Sequence, residues 1–187
     1  MMLEELRKCL KNKKIEPNIF DIVLYGSSVK GKEEPNDIDL IIIFKYGMLK
    51  ERLSIIQKYK QIIKTKIKLD IKSILVDELF NKEFFARSGI FFEGISLLDG
   101  TRFSGKIGFD SFTLFSYDMK NKNHAEKVRF NYLLSGRKGY DGILKMFNGK
   151  RLNLGLIQLP VNKSDEFEDI LKNNNVIYSK MNILKQI

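Results

Sequence analysis

Hydrophobic positions fall into short blocks whose spacing changes along the chain. Residues 3–10 read as a short helix, closed by a linker containing Pro17 and Asn18. "DIVLY", Asp21 to Tyr25, reads as a buried strand, and Gly26-Ser27-Ser28 is the turn that leaves it. After a charged loop from Gly31 to Asn36, "DIDLIIIF" is apolar at every position beyond Asp39, the pattern of a strand covered on both faces. Leu49, Leu53, Ile56, Tyr59 and Ile63 recur at helical spacing and predict an amphipathic helix over 48–64. In "TKIKLDIKSILV", Ile67, Leu69 and Ile71 alternate with Lys68, Asp70 and Lys72, which predicts a third strand. Asp77 to Arg87 reads as a helix, and "GIFFEGISLLDG" supplies a last apolar segment. The resulting order of helix, strand, strand, helix, strand, helix is an α/β unit of about 100 residues, an ordinary domain size.

The second half has its own pattern. A strand is expected over Phe112–Tyr117 and a helix over Ala125–Leu134, with Tyr132 and Leu133 facing the core. Gly142–Phe147 and Leu152–Val161 read as strands around the turn Asn148-Gly149, although "GILKMF" fits a helical turn equally well. Ser164 is placed as an N-cap, with Asp165, Glu166 and Glu168 in the first turn of a helix reaching Lys172. Val176 to Leu184 closes the chain as a strand. This βαββαβ order matches a ferredoxin-like split unit. The fold class is therefore α/β (α+β), a mixed sheet with flanking helices followed by a C-terminal α/β domain. The glycine-studded stretch "DGTRFSGKIGFD" marks the boundary, giving domains of 1–105 and 106–187.

Composition narrows the class. With 43% hydrophobic and 30% charged residues among 187, the chain reads as globular rather than disordered. No apolar run approaches the roughly 20 residues of a membrane span, and the start reads as an amphipathic helix rather than a signal peptide. A single cysteine, Cys9, excludes an internal disulfide framework and a multi-cysteine zinc site, so a cytoplasmic location is expected. The net charge is +10 and uneven: 18 Lys+Arg face 15 Asp+Glu in residues 1–100, against 15 and 8 in residues 101–187. Such an excess suits a polyanionic partner, or simply a solvated lysine-rich surface.

The candidate chemistry lies in "LYGSSVKGKEEPNDIDLIII". Residues i and i+2 of a strand point the same way, so Asp37 and Asp39 project together at the mouth of an apolar run. Neighbouring carboxylates repel unless a shared cation binds them or one takes a proton, and magnesium commonly takes one or two carboxylates plus substrate phosphates. Asp70 is on the polar side of the third strand. If that strand lies beside the second, three carboxylates meet, the arrangement a two-metal phosphoryl transfer needs. Gly26 permits close backbone approach, Ser27 begins a segment whose N–H groups can cradle phosphate oxygens, and Lys30 and Lys32 add positive charge nearby.

Together these residues resemble the signature of the polymerase-β-type nucleotidyltransferase superfamily, especially its small archaeal and bacterial members. Gly26, Ser27, Gly31, Asp37 and Asp39 match that signature in order, Asp70 in "IKLDIKSIL" is similar to its third carboxylate, and the likeness covers roughly residues 15–100. Ser28 departs from the Arg or Tyr of many relatives, Asn36 from their Ser, and the loop before Asp37 is about a residue short. The resemblance implies a nucleotidyltransferase-type mixed sheet and transfer of a nucleoside monophosphate from a triphosphate to a hydroxyl, with release of pyrophosphate. It further implies two magnesium ions, replaceable by manganese, held by Asp37, Asp39 and Asp70. Gly26, Ser27 and Lys30 would hold the triphosphate, and the acceptor would be an RNA end or a protein side chain.

"YDMKNKNHAEKVRFNYLLSGRKG" mixes Lys120, Lys122, Lys127, Arg129, Arg137 and Lys138 with Phe130, Tyr132 and, just beyond, Tyr140, a composition able to grip phosphates and stack bases. His124, the only histidine, reads as part of a polar loop. Two alternatives stand beside the enzyme: a nucleic-acid-binding module on an inactive nucleotidyltransferase fold, and a protein-interaction subunit.

Overall fold

The computed structural model describes residues 2–29 and 36–187. The expectations for Lys30, Gly31 and Lys32 lie outside the described residues. The chain divides into two compact units, Met1–Phe109 with Ile187, and Asp110–Gln186.

The first unit runs α1 (Met2–Leu10), β1 (Ile19–Tyr25), a single 3-10 turn (Gly26–Val29), β2 (Asp37–Phe44), α2 (Leu49–Ile62), β3 (Lys68–Leu75), α3 (Arg87–Glu93), β4 (Ile95–Ser96) and α4 (Phe103–Lys106). Its sheet has the order β3-β2-β1-β4. β1 runs antiparallel to β2 and β4, while β2 and β3, joined through α2, are parallel. The isoleucine run of β2 follows from its central place. Ile38, Leu40, Ile42 and Phe44 share a core with Leu6 and Leu10 of α1 and Ile56 and Tyr59 of α2. Ile41 and Ile43 share the opposite core with Ile90 of α3 and Phe103 of α4.

Three expectations change here. α2 turns Arg52, Ile56 and Tyr59 inward and leaves Leu49 and Leu53 exposed. The buried guanidinium reaches the Glu78 carboxylate at 3.5 Å, so an ion pair takes the place that Leu53 was expected to fill. Asp77 to Arg87 is not a helix but a 3-10 turn at Glu78–Phe80 followed by irregular chain, and the helix begins at Arg87. The boundary falls within "DGTRFSGKIGFD" as expected, but after Phe109 rather than after residue 105: Phe103 is fully buried, and Lys106 forms ion pairs with Asp21 at 2.8 Å and Asp99 at 2.9 Å.

The second unit runs β5 (Phe109–Asp118), α5 (His124–Ser135), β6 (Gly136–Arg137), β7 (Tyr140–Asp141), α6 (Ile143–Met146), β8 (Lys150–Asn153), β9 (Leu156–Pro160), α7 (Ser164–Asn173) and β10 (Ile177–Gln186). The main sheet is ordered β10-β5-β9-β8, that is, fourth, first, third and second of its own strands, the order of a ferredoxin-like split βαβ. Phe115, Ile157 and Leu159 of the sheet pack with Phe130 and Leu134 of α5 and Phe167 and Leu171 of α7. "GILKMF" takes its helical alternative as α6, so the hairpin moves from Asn148-Gly149 to the turn between β8 and β9. Ser164 is the first residue of α7 rather than its cap, and its side chain is buried. His124 opens α5 behind an Asn123–Glu126 capping box. Among the described residues, no helix is long and apolar enough to cross a membrane.

Among the described residues, each unit carries one strongly depressed carboxyl. Burial pushes Asp99 up, but the Thr101 hydroxyl and amide and the Lys106 ammonium pull it further down, to about 2. In the second unit the Lys180 ammonium and the Tyr178 hydroxyl, which donates at 2.6 Å, hold Glu168 at about 2. For an acid depressed in the folded state, the stabilisation is full above the unfolded value and is lost as pH falls through the folded value. Melting temperature should therefore drop steadily from pH 4.5, the ordinary glutamate value, towards pH 2. The Glu168→Gln variant should show a shallower drop in thermal melts followed by circular dichroism.

Candidate active site

The site is assembled from one end of the first unit's sheet. β1 ends at Tyr25 and the chain reverses through Gly26, whose φ of 76° lies in the left-handed region that favours glycine. A Cβ on Gly26 would lie 2.5 Å from Asp39 Oδ2, so the turn can approach the carboxylate only because that residue has no side chain. The Ser28 hydroxyl donates to the Asp37 carbonyl at 2.8 Å and pins the turn to the start of β2. Ser28, a departure from the family pattern, thus has a structural task that the sequence did not reveal. Gly26→Ala should cost about 1–2 kcal/mol of backbone strain and displace the Asp39 carboxylate. Denaturant unfolding and an activity assay on the same preparation would check both effects.

Asp37 and Asp39 project from the first residues of β2, where burial is partial, and the same face continues into the fully buried Ile41 and Ile43. Tyr25 is the register partner of Asp39 on β1, and Asp70 is its partner on the other side, on β3. Direct partners in a sheet present their side chains to one face, so Tyr25, Asp39 and Asp70 form a row across three strands with Asp37 beside it. Electrostatics agree with this proximity. Burial first, then Asp37 and Asp70, push the Asp39 carboxyl above its ordinary value, against a smaller opposing pull from Lys72. The Tyr25 hydroxyl is pushed up to about 12 by burial and by the charges of Asp39 and Asp70.

Tyr25 was not foreseen as a neighbour of the acids, whereas a flanking lysine paired with Asp70 was an alternative that the sequence offered. Lys72, one strand repeat beyond Asp70, places its ammonium 3.6 Å from Asp70 Oδ2 and 4.6 Å from the ring centroid of the exposed Phe85. Its i+2 spacing from Asp70 in a strand was the available signal. With both partners over two-fifths exposed, the Lys72–Asp70 pair is a weak surface contact that another cation can displace.

Among the described residues, no three His, Cys, Asp or Glu side chains close into a ready metal-binding group. What stands in register is an acidic pair with a third carboxylate alongside, drawn towards Lys72. The donor set still fits a hard divalent cation. Asp39 carries repulsion from both neighbouring acids that such an ion would relieve, and the Gly26 turn leaves open the space a Cβ would fill. Ser27 lies in the turn, half-buried, beside this row.

Among known protein families, the one described as "Polymerase beta, Nucleotidyltransferase" matches residues 4–94. No curated protein matches the chain. The matched stretch contains the Gly26 turn, the β2 acids and Asp70, and the first unit of this chain belongs to the polymerase-β-type nucleotidyltransferase superfamily.

Proposed function

We propose that the first unit transfers a nucleoside monophosphate from a nucleoside triphosphate to a hydroxyl acceptor and releases pyrophosphate. The observation that carries this reading is the row of Asp39 and Asp70 on adjacent parallel strands, with Asp37 beside it and the Gly26 turn against Asp39. Asp37 and Asp39 would hold magnesium, or manganese in its place, and Asp70 would complete a second ion's site on the acceptor side. Bound there, the ions would neutralise charge on the triphosphate and favour the ionised acceptor oxygen.

The residues of this chain supply the remaining roles. The Gly26-Ser27 backbone, with Lys30 following it, would orient the β- and γ-phosphates. Asp70, its side chain 45% exposed, would accept the proton of the acceptor hydroxyl as the acceptor oxygen bonds to the α-phosphorus. The bond from that phosphorus to the oxygen bridging the β-phosphate breaks, and pyrophosphate leaves with the electron pair. Positioning and electrostatics would carry most of the acceleration. A reducing cytoplasm suits a chain whose one cysteine, Cys9, is unpaired.

The test is incubation with magnesium, each α-labelled triphosphate in turn and a cell lysate. Label on RNA or protein supports the reading, and its absence with all four triphosphates overturns it. The Lys72–Asp70 contact and the lack of a closed three-acid group among the described residues favour one competitor, an inactive fold retained for binding. That competitor predicts partner binding with no transfer.

A further inference from the structure

The second unit exposes an aromatic and cationic cluster that its core does not use. α5 directs Phe130 and Leu134 into the core, so Tyr132 points outward and stands half exposed. This reverses the inward orientation expected from the sequence. The Arg137 guanidinium lies 5.5 Å from the Tyr132 ring centroid. Arg137 is in turn the cross-strand partner of Tyr140 in the β6–β7 hairpin, and Tyr140 is 82% exposed. Lys138 occupies the tip between them, also exposed.

The hairpin is firmly seated. A Cβ on Gly142 would lie 2.2 Å from the Gly136 nitrogen and 2.3 Å from the Leu134 carbonyl oxygen, so its two ends meet backbone to backbone against the end of α5. Two tyrosine rings are therefore held in water, one beside the Arg137 guanidinium and one on the strand opposite Arg137, when burial would have stabilised each.

We propose that the β6–β7 hairpin and the outward side of α5 form a stacking platform for single-stranded nucleic acid. Unpaired bases stack on tyrosine rings and guanidinium planes, and Arg137 and Lys138 stand where the flanking phosphates of such a strand need positive charge. The surplus of 15 Lys+Arg over 8 Asp+Glu in residues 101–187 attracts the same polyanion. A duplex hides its base faces, so the platform discriminates in favour of single strands. Binding stands on this unit alone. That the bound strand is also the hydroxyl acceptor rests on the transferase reading above.

The experiment measures fluorescence anisotropy of a labelled single-stranded RNA of about 12 nucleotides with the full chain, over a range of salt concentrations. Tyr140→Ala should weaken binding about tenfold with the salt slope unchanged, and Tyr140→Phe should retain wild-type affinity. Lys138→Ala should reduce the log–log salt slope by about 0.7. Absence of RNA binding by the wild type, equal affinity for a duplex of the same sequence, or an unaltered Tyr140→Ala would each overturn the proposal. Wild-type RNA binding without label transfer would sink the transferase reading alone. Label transfer with an unaltered Tyr140→Ala would sink the platform alone.

Discussion

Replacing Asp37 and Asp39 together by asparagine should reduce label transfer by at least about a thousandfold while leaving the first unit as stable as before, or more so. The loss follows from their proposed role. Each removed group takes away charge stabilisation that exists chiefly in the transition state, and single electrostatic contacts of this kind commonly account for about a hundredfold or more. The stability outcome follows from the geometry. Asp39 is pushed above its ordinary value by burial and by Asp37 and Asp70, so in the folded protein these charges repel with only Lys72 pulling against them. Neutral amides of the same shape relieve that repulsion, as expected where a site is maintained for function at the expense of stability. Label transfer and thermal melting on the double variant separate the two effects. Undiminished transfer would remove this site from the chemistry, and a collapsed melt would make the pair structural.

The second large effect concerns stability. Lys106→Met should destabilise the first unit by about 3 kcal/mol. Asp21 is fully buried on β1. Its Oδ1 accepts from the Ser96 hydroxyl and the Ile22 amide, both at 2.7 Å, and its Oδ2 lies 2.8 Å from the Lys106 ammonium. Burial pushes the Asp21 carboxyl up, with Lys106 and Ser96 pulling against it. Removing the ammonium leaves a buried carboxylate without its counter-charge and also frees Asp99. The double variant Asp21→Asn, Lys106→Met should recover part of the loss, because no buried charge is left uncompensated and Asp99 is exposed to solvent. Urea unfolding at neutral pH reads both. A Lys106→Met midpoint indistinguishable from wild type would mean that water, not the protein, satisfies Asp21.

Parts of the molecule were legible because their pattern is local. β2 runs from Asp37 to Phe44 as its composition indicated, since a strand covered on both faces must be apolar at successive positions. The i, i+2 spacing alone puts Asp37 and Asp39 on one face. Elsewhere the same reasoning was defeated by choices that periodicity leaves open. The α2 pattern contains two overlapping apolar stripes, and the fold buries the one with Ile56 and Tyr59, with Arg52 paired to Glu78 and Leu53 outside. Tyr132 and Phe130 are both aromatic positions of α5, but the rotation of the helix over its sheet buries only the second. "GILKMF" takes a helical turn that starts from Gly142, seated tightly on Gly136, and nothing in its six residues announces that contact.

By itself the sequence determined which side chains share a face, where apolar strands must be covered on both sides, and that a glycine must precede the acidic pair. Tertiary structure alone decided that Asp70 stands next to Asp39, because the parallel register of β3 is set by how α2 packs against the sheet across a long connection. It also decided that Lys72 would share Asp70 and that Tyr132 would stand in solvent beside Arg137. The physical reason is range: backbone periodicity acts over a few residues, whereas the partner of a face is selected by burial summed over the whole unit.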